Sequence, residues 1–205
     1  MPNSARNIVL EHATEGARLR EEFFRDAADQ IVEIARLMAV CLARGGKILL
    51  AGNGGSAADA QHLAAEFVNR FLMERPPLPA IALTTDSSIL TAVGNDYGFD
   101  QVFEKQVLAL GNPGDVFLAI STSGNSTNLV RALRAAQEKG LTSICLSGKT
   151  GGEMAPLCEH KILVPHEHTP LIQEIHIAAG HLLCQLVDYY LFEAVVELTP
   201  YLEED

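Results

Sequence analysis

The chain has 205 residues, 48% hydrophobic and 20% charged, which is material for one packed core and excludes a largely disordered chain. Its formal net charge of −11 repels a phosphate backbone, and its Lys and Arg residues are scattered, so nucleic acid is not an expected partner. The same charge repels a sugar phosphate at long range, so any phosphate site has to rely on local backbone N–H groups and hydroxyls.

Cys41, Cys145, Cys158 and Cys184 are far apart in sequence, show no CxxC spacing and mostly sit in apolar runs. They read as buried free thiols rather than disulfides or metal ligands. Residues Asn3 to Asn7 are mostly polar, and no apolar run approaches the ~20 residues of a membrane span. A cytoplasmic protein with no membrane partner is expected. There are no internal repeats, and the acidic end Leu202 to Asp205 reads as solvated.

In chain order, residues from about Ser4 to Arg44 are rich in Ala, Glu and Arg, with Ile31, Ile34, Leu37, Met38 and Cys41 at helical spacing. The pattern predicts two helices, broken near Phe24 to Asp26, with Gly45-Gly46 stopping the second. Short apolar runs follow at Ile48 to Ala51, Ala80 to Leu83, Val116 to Ile120, Thr142 to Leu146 and Lys161 to Val164. None alternates with polar residues, as suits strands buried on both faces of a parallel sheet. The segments Ser56 to Asn69 and Ser126 to Lys139 read as crossover helices. A last helix from about Leu171 to Leu191 is apolar around much of its circumference, through Ile172, Ile175, Ile177, Leu182, Leu183, Leu186 and Val187. Such a helix is buried in the core or against another subunit, which favours a homo-oligomer. The expectation is one α/β domain spanning 1–205: N-terminal helices over 1–44, then over 45–205 a three-layer sandwich with a five-stranded parallel sheet and a long final helix.

Gly52-Asn53-Gly54-Gly55-Ser56 runs from the first strand straight into a helix. Such a loop lets backbone approach a ligand closely, but it equally suits a plain tight turn, being neither a dinucleotide fingerprint nor a P-loop. After the third strand, Ser121-Thr122-Ser123-Gly124-Asn125-Ser126 again opens a helix. N-capping needs one hydroxyl, and four of them beside the unpaired N–H groups of a helix start favour phosphate binding. His62 and Glu66 lie four apart on one helix face, either a solvated pair or a functional one. Gln173 and His181 share a face of the final helix, and His181 interrupts apolar sequence, so it needs a partner. His176, off that face, reads as structural.

Gly52 to Ser56, Gly94-Asn95-Asp96, Ser121 to Ser126 and Gln173-Glu174-Ile175-His176, in that order over nearly the whole chain, resemble the phosphoheptose isomerase family of the SIS (sugar isomerase) fold. The resemblance implies isomerisation of sedoheptulose 7-phosphate in the heptose pathway that supplies lipopolysaccharide, by a homotetramer with active sites at subunit interfaces. It puts the catalytic base on Glu66 and the general acid on His181. It puts the ligands of a zinc ion on His62, Glu66, Gln173 and His181. Substrate contacts fall on Asn53, Gly54, Gly55, Glu66, Asn95, Asp96, Ser121, Thr122, Ser123, Ser126 and Gln173. Many relatives carry an Arg just before the Ile-Gln-Glu run, where this chain has Thr169-Pro170-Leu171. Asn69-Arg70-Phe71, Glu74-Arg75-Pro76 and Leu78 to Leu83 also resemble a sister group, non-enzymatic adaptors that bind the bacterial replication initiator. Those relatives are expected to lack the Glu and second His that stand here as Glu66 and His181, so the isomerase reading is preferred. A sugar-phosphate-sensing regulator is a third reading, but no DNA-binding segment is attached.

Overall fold

A computed structural model describes residues 4–203. The last two residues of the acidic end lie outside that range. Helix α1 spans Ala5–Ala43 without a break, where the sequence predicts two helices. The reason is a buried stripe at four-residue spacing, Leu19, Phe23, Ala27 and Ile31, which runs through the expected break. Arg25 also pairs with Glu21 at 2.6 Å and Arg18 with Glu22 at 3.0 Å, and neither Gly nor Pro occurs between them. Aromatic residues lower helix propensity only slightly. Gly45, at φ +83°, then ends the helix as expected.

Strand β1 is Ile48–Gly52, β2 Ala80–Ala82, β3 Val116–Ser121, β4 Thr142–Gly148 and β5 His160–Val164. All four pairings are parallel and the order is β2-β1-β3-β4-β5. The helices between and after them are α2 (Gly55–Val68), α3 (Ser87–Asp96), α4 (Val102–Leu110), α5 (Thr127–Glu138), α6 (Thr169–Asp188) and α7 (Val195–Leu202). The three-layer sandwich is therefore present. Ile48, Leu50, Val116, Leu118 and Ile120 face a layer of α1, α2 and α6, while Leu49, Ala51, Phe117 and Ala119 face α4 and α5. Both sheet faces are covered, which is why the strands show no polar alternation.

The chain moves to one side of β1 to make β2 and to the other side to make β3, so the strand order reverses between β1 and β3. In open parallel sheets such a switch leaves a crevice at the carboxyl ends of the two strands. The two hydroxyl- and glycine-rich loops both emerge there, because Gly52 pairs in register with Ile120. All four cysteines are free and buried, and among the described residues no helix is long and apolar enough to cross a membrane.

Candidate active site

The loop after β1 and the loop after β3 are joined across the crevice. Asn53 and Asn128 exchange two amide hydrogen bonds, at 3.0 and 2.9 Å. Ser126 stands at the N-cap of α5, yet its hydroxyl makes no cap bond and instead lies 3.1 Å from Ser121 Oγ. Capping is therefore not the role of that hydroxyl. Ser121 Oγ accepts from Gly124 N at 3.3 Å, and Ser123 Oγ accepts from Asn125 N at 3.2 Å. Gly124 adopts φ +68°, and a Cβ there would lie 2.0 Å from the Gly151 carbonyl oxygen. The loop is thus a fixed turn ringed by hydroxyls and helix-start amides, which suits an anion.

Helices α2 and α6 run side by side on one face of the sheet, and their facing residues make the second half of the site. His62 Nε2 is 2.9 Å from His181 Nε2 and 3.3 Å from Glu66 Oε1. One donor atom from each of the three lies within 4.8 Å of the others. Phe71 stacks on His181, with centroids 5.4 Å apart and planes 21° apart, while His62 meets the same ring edge to face. The His181 ring is thereby fixed from two sides. Asp59, one turn before His62, has its carboxyl raised by burial and pulled back down by the charge of His62.

Gln173 lies two turns before His181, ~12 Å along the axis at 1.5 Å per residue. Its amide rests against Gly55, where a Cβ would come within 2.6 Å of Nε2. Gln173 thus faces Gly55, and His181 faces the His62–Glu66 turn. Asn95 and Asp96 end α3, both exposed, with Asn95 Nδ2 donating to Asp96 Oδ1 at 2.8 Å. Among the described residues no hydrogen bond links them to either loop. His176 is buried off this face, as expected, with neither ring nitrogen hydrogen-bonded among the described residues.

Three residues of this region had no role in the sequence reading. Phe71 stood only in a motif shared with the adaptor group. Asn128 lies just beyond the hydroxyl run, and its amide is the signal that it has a polar partner. Ser56 is buried, at 3% exposure, in the first turn of α2.

A sequence profile of the SIS domain matches residues 11–148. The chain is 68% identical over 203 residues to the phosphoheptose isomerase of Nitratidesulfovibrio vulgaris strain Miyazaki F, covering 99% of this chain and 98% of that one. It is 55% identical over 174 residues to that of Aquifex aeolicus, covering 85% and 91%. The structure of phosphoheptose isomerase from Neisseria gonorrhoeae superposes with TM-score 0.86 at 47% identity, covering 90% of this chain and 99% of that one. On sequence and fold alike, the chain belongs to the phosphoheptose isomerase family of SIS-domain proteins.

Proposed function

We propose that the chain is an aldose–ketose isomerase that converts D-sedoheptulose 7-phosphate to D-glycero-D-manno-heptose 7-phosphate. The observation that carries the reading is the meeting of Glu66, His62 and His181 within 4.8 Å, on helices flanking the Ser121–Ser126 loop's crevice. Close relatives named phosphoheptose isomerase support it. In this reading the reaction belongs to the heptose pathway feeding lipopolysaccharide and takes place in the cytoplasm.

The reaction moves a proton from C1 to C2 through an enediol, so it needs a base at carbon and an acid at oxygen. In this reading Glu66 takes the C1 proton and returns it to C2. His181 gives a proton to the C2 oxygen and removes one from the C1 oxygen, its ring held in place by Phe71 and His62. Ser121, Thr122, Ser123 and Ser126 bind the phosphate, and Asn53, Gly54, Gly55 and Gln173 orient the sugar chain.

Two imidazoles and a carboxylate brought together at one point also fit a zinc ion, while Gln173, the fourth donor that the family resemblance implies, faces Gly55 two turns away on the same helix. Bound zinc would polarise the two reacting oxygens as a Lewis acid.

The proposed working unit is a homotetramer with interfacial sites. Supporting it, α3 buries no residue within one chain, and next to it Tyr97 and Phe99 are 56% and 62% exposed. Asn95 and Asp96 sit on that same exposed surface, and in this reading they contact substrate in the site of a neighbouring copy. The direct test is to give purified protein sedoheptulose 7-phosphate and follow aldoheptose 7-phosphate by NMR. Absence of product with correctly folded protein overturns the assignment.

A further inference from the structure

A second cluster of metal-ligating side chains lies apart from the candidate active site. Glu15 on α1, and His166 and His168 on the loop between β5 and α6, each bring a donor atom within 4.8 Å of the other two. The histidines are two residues apart, and His168 is extended at φ −82°, ψ 114°, a spacing that sends both rings to one side. The rings meet edge to face, 5.2 Å between centroids. Glu15 reaches them from α1, its Oε1 3.0 Å from His166 Nε2. We propose that Glu15, His166 and His168 form a second binding site for a divalent transition metal, one that ties α1 to the loop entering α6.

Two imidazole nitrogens and one carboxylate oxygen are a donor set that zinc, cobalt and nickel accept. The carboxylate already faces the ring with which it would share the ion, Glu15 Oε1 lying 3.0 Å from His166 Nε2. Arg18 on the same helix is paired with Glu22 at 3.0 Å, so its charge is matched nearby. Glu15 and His166 are half-buried and His168 is exposed, which gives an ion from solution an open approach.

The proton inventory closes. The backbone N–H of His168 donates to His166 Nδ1 at 3.1 Å, so the neutral ring carries its proton on Nε2 and donates it to Glu15. The ion takes the place of that proton between Nε2 and the carboxylate. The ring proton moves to Nδ1, and the hydrogen bond from His168 is given up. No net proton is lost from the ring and no redox step is needed. The sacrificed hydrogen bond makes the site weaker than a preformed one.

The proposal is independent of the isomerase reading and is tested on the full chain. Metal-free protein is titrated with zinc or cobalt, with stoichiometry from equilibrium dialysis and elemental analysis and coordination from the visible spectrum of the cobalt form. The unaltered chain should bind one ion more than His166→Ala/His168→Ala does. His62→Ala/His181→Ala should still bind one, and its thermal unfolding should rise with added zinc. His166→Ala/His168→Ala should lose one ion while its circular dichroism stays unchanged. Glu15→Gln should weaken the second ion by about tenfold or more. If the His166/His168 double variant fails to fold, His168→Asn at the exposed position carries the same test. Full stoichiometry in the His166/His168 variant, or none in the His62/His181 variant, overturns the proposal.

Discussion

Arg75 Nη2 donates to the main-chain carbonyl of Glu66 at 2.9 Å, so the last turn of α2 is held through the very residue read as the base. Nη1 donates to Phe67 O at 2.7 Å, and Nε pairs with Asp188 at 2.8 Å. These carbonyls fall where a helix runs out of its own N–H donors. Arg75 and Asp188 are 1% and 5% exposed. Burial raises the Asp188 carboxyl, against the hydrogen bond and charge of Arg75.

Arg75→Met strands the Asp188 charge and should cost about 3–5 kcal/mol of stability in urea unfolding. Arg75→Met/Asp188→Leu should recover most of that loss, because an apolar pair needs no compensation. If the single variant unfolds like the parent, the guanidinium is not what holds the end of α2.

Glu66→Gln should fold as the parent does and lose ~10²-fold or more in kcat, the usual scale for removing a general base. Its amide keeps the shape but cannot take a proton from carbon. Near-parental turnover would remove Glu66 from the chemistry.

Ser121→Ala and Ser123→Ala should mainly raise KM, because a phosphate contact is much the same in ground and transition states. Gly124→Ala should behave differently, since its Cβ would strike the Gly151 carbonyl and the φ of +68° would be strained. Steady-state kinetics on the three separate these roles. A collapse of kcat at fixed KM in the serine variants would assign the loop to chemistry.

His176 should make the fold acid-sensitive. Burial pushes its pKa down from the ordinary 6.5 to about 4, against a small upward pull from the Ser147 backbone. Between those values the unfolded chain binds the proton and the folded chain does not, so stability rises with pH across that window. The full contribution is present above about pH 6.5, and about 3 kcal/mol is lost as the pH falls to about 4. His176→Leu should flatten this dependence in unfolding curves taken across the window. An unchanged slope would assign the acid sensitivity to other groups.

Exhaustive chelation should lower turnover, and zinc alone should restore it, if His62, Glu66, Gln173 and His181 hold a working ion. Full activity in protein shown to be zinc-free would leave Glu66 and His181 acting without a metal.

Much of this protein is legible along the chain. Runs such as Ile48 to Ala51 and Val116 to Ile120 lack polar alternation because both sheet faces are covered, so the pattern itself reports a parallel sheet between helix layers. The pairs His62/Glu66 and Gln173/His181 were visible because helical spacing puts residues on one face. Local periodicity also misled at Phe24 to Asp26, where the buried stripe that keeps α1 whole depends on what α1 packs against. Only the tertiary structure decided that α2 and α6, separated by four strands, pack side by side and bring His62 to His181. It also placed Phe71 on the His181 ring, Arg75 under Glu66, and Glu15 beside His166, 151 residues away. The physical reason is range: propensity and periodicity act over a few residues. Which faces meet is set by burying distant apolar surface together.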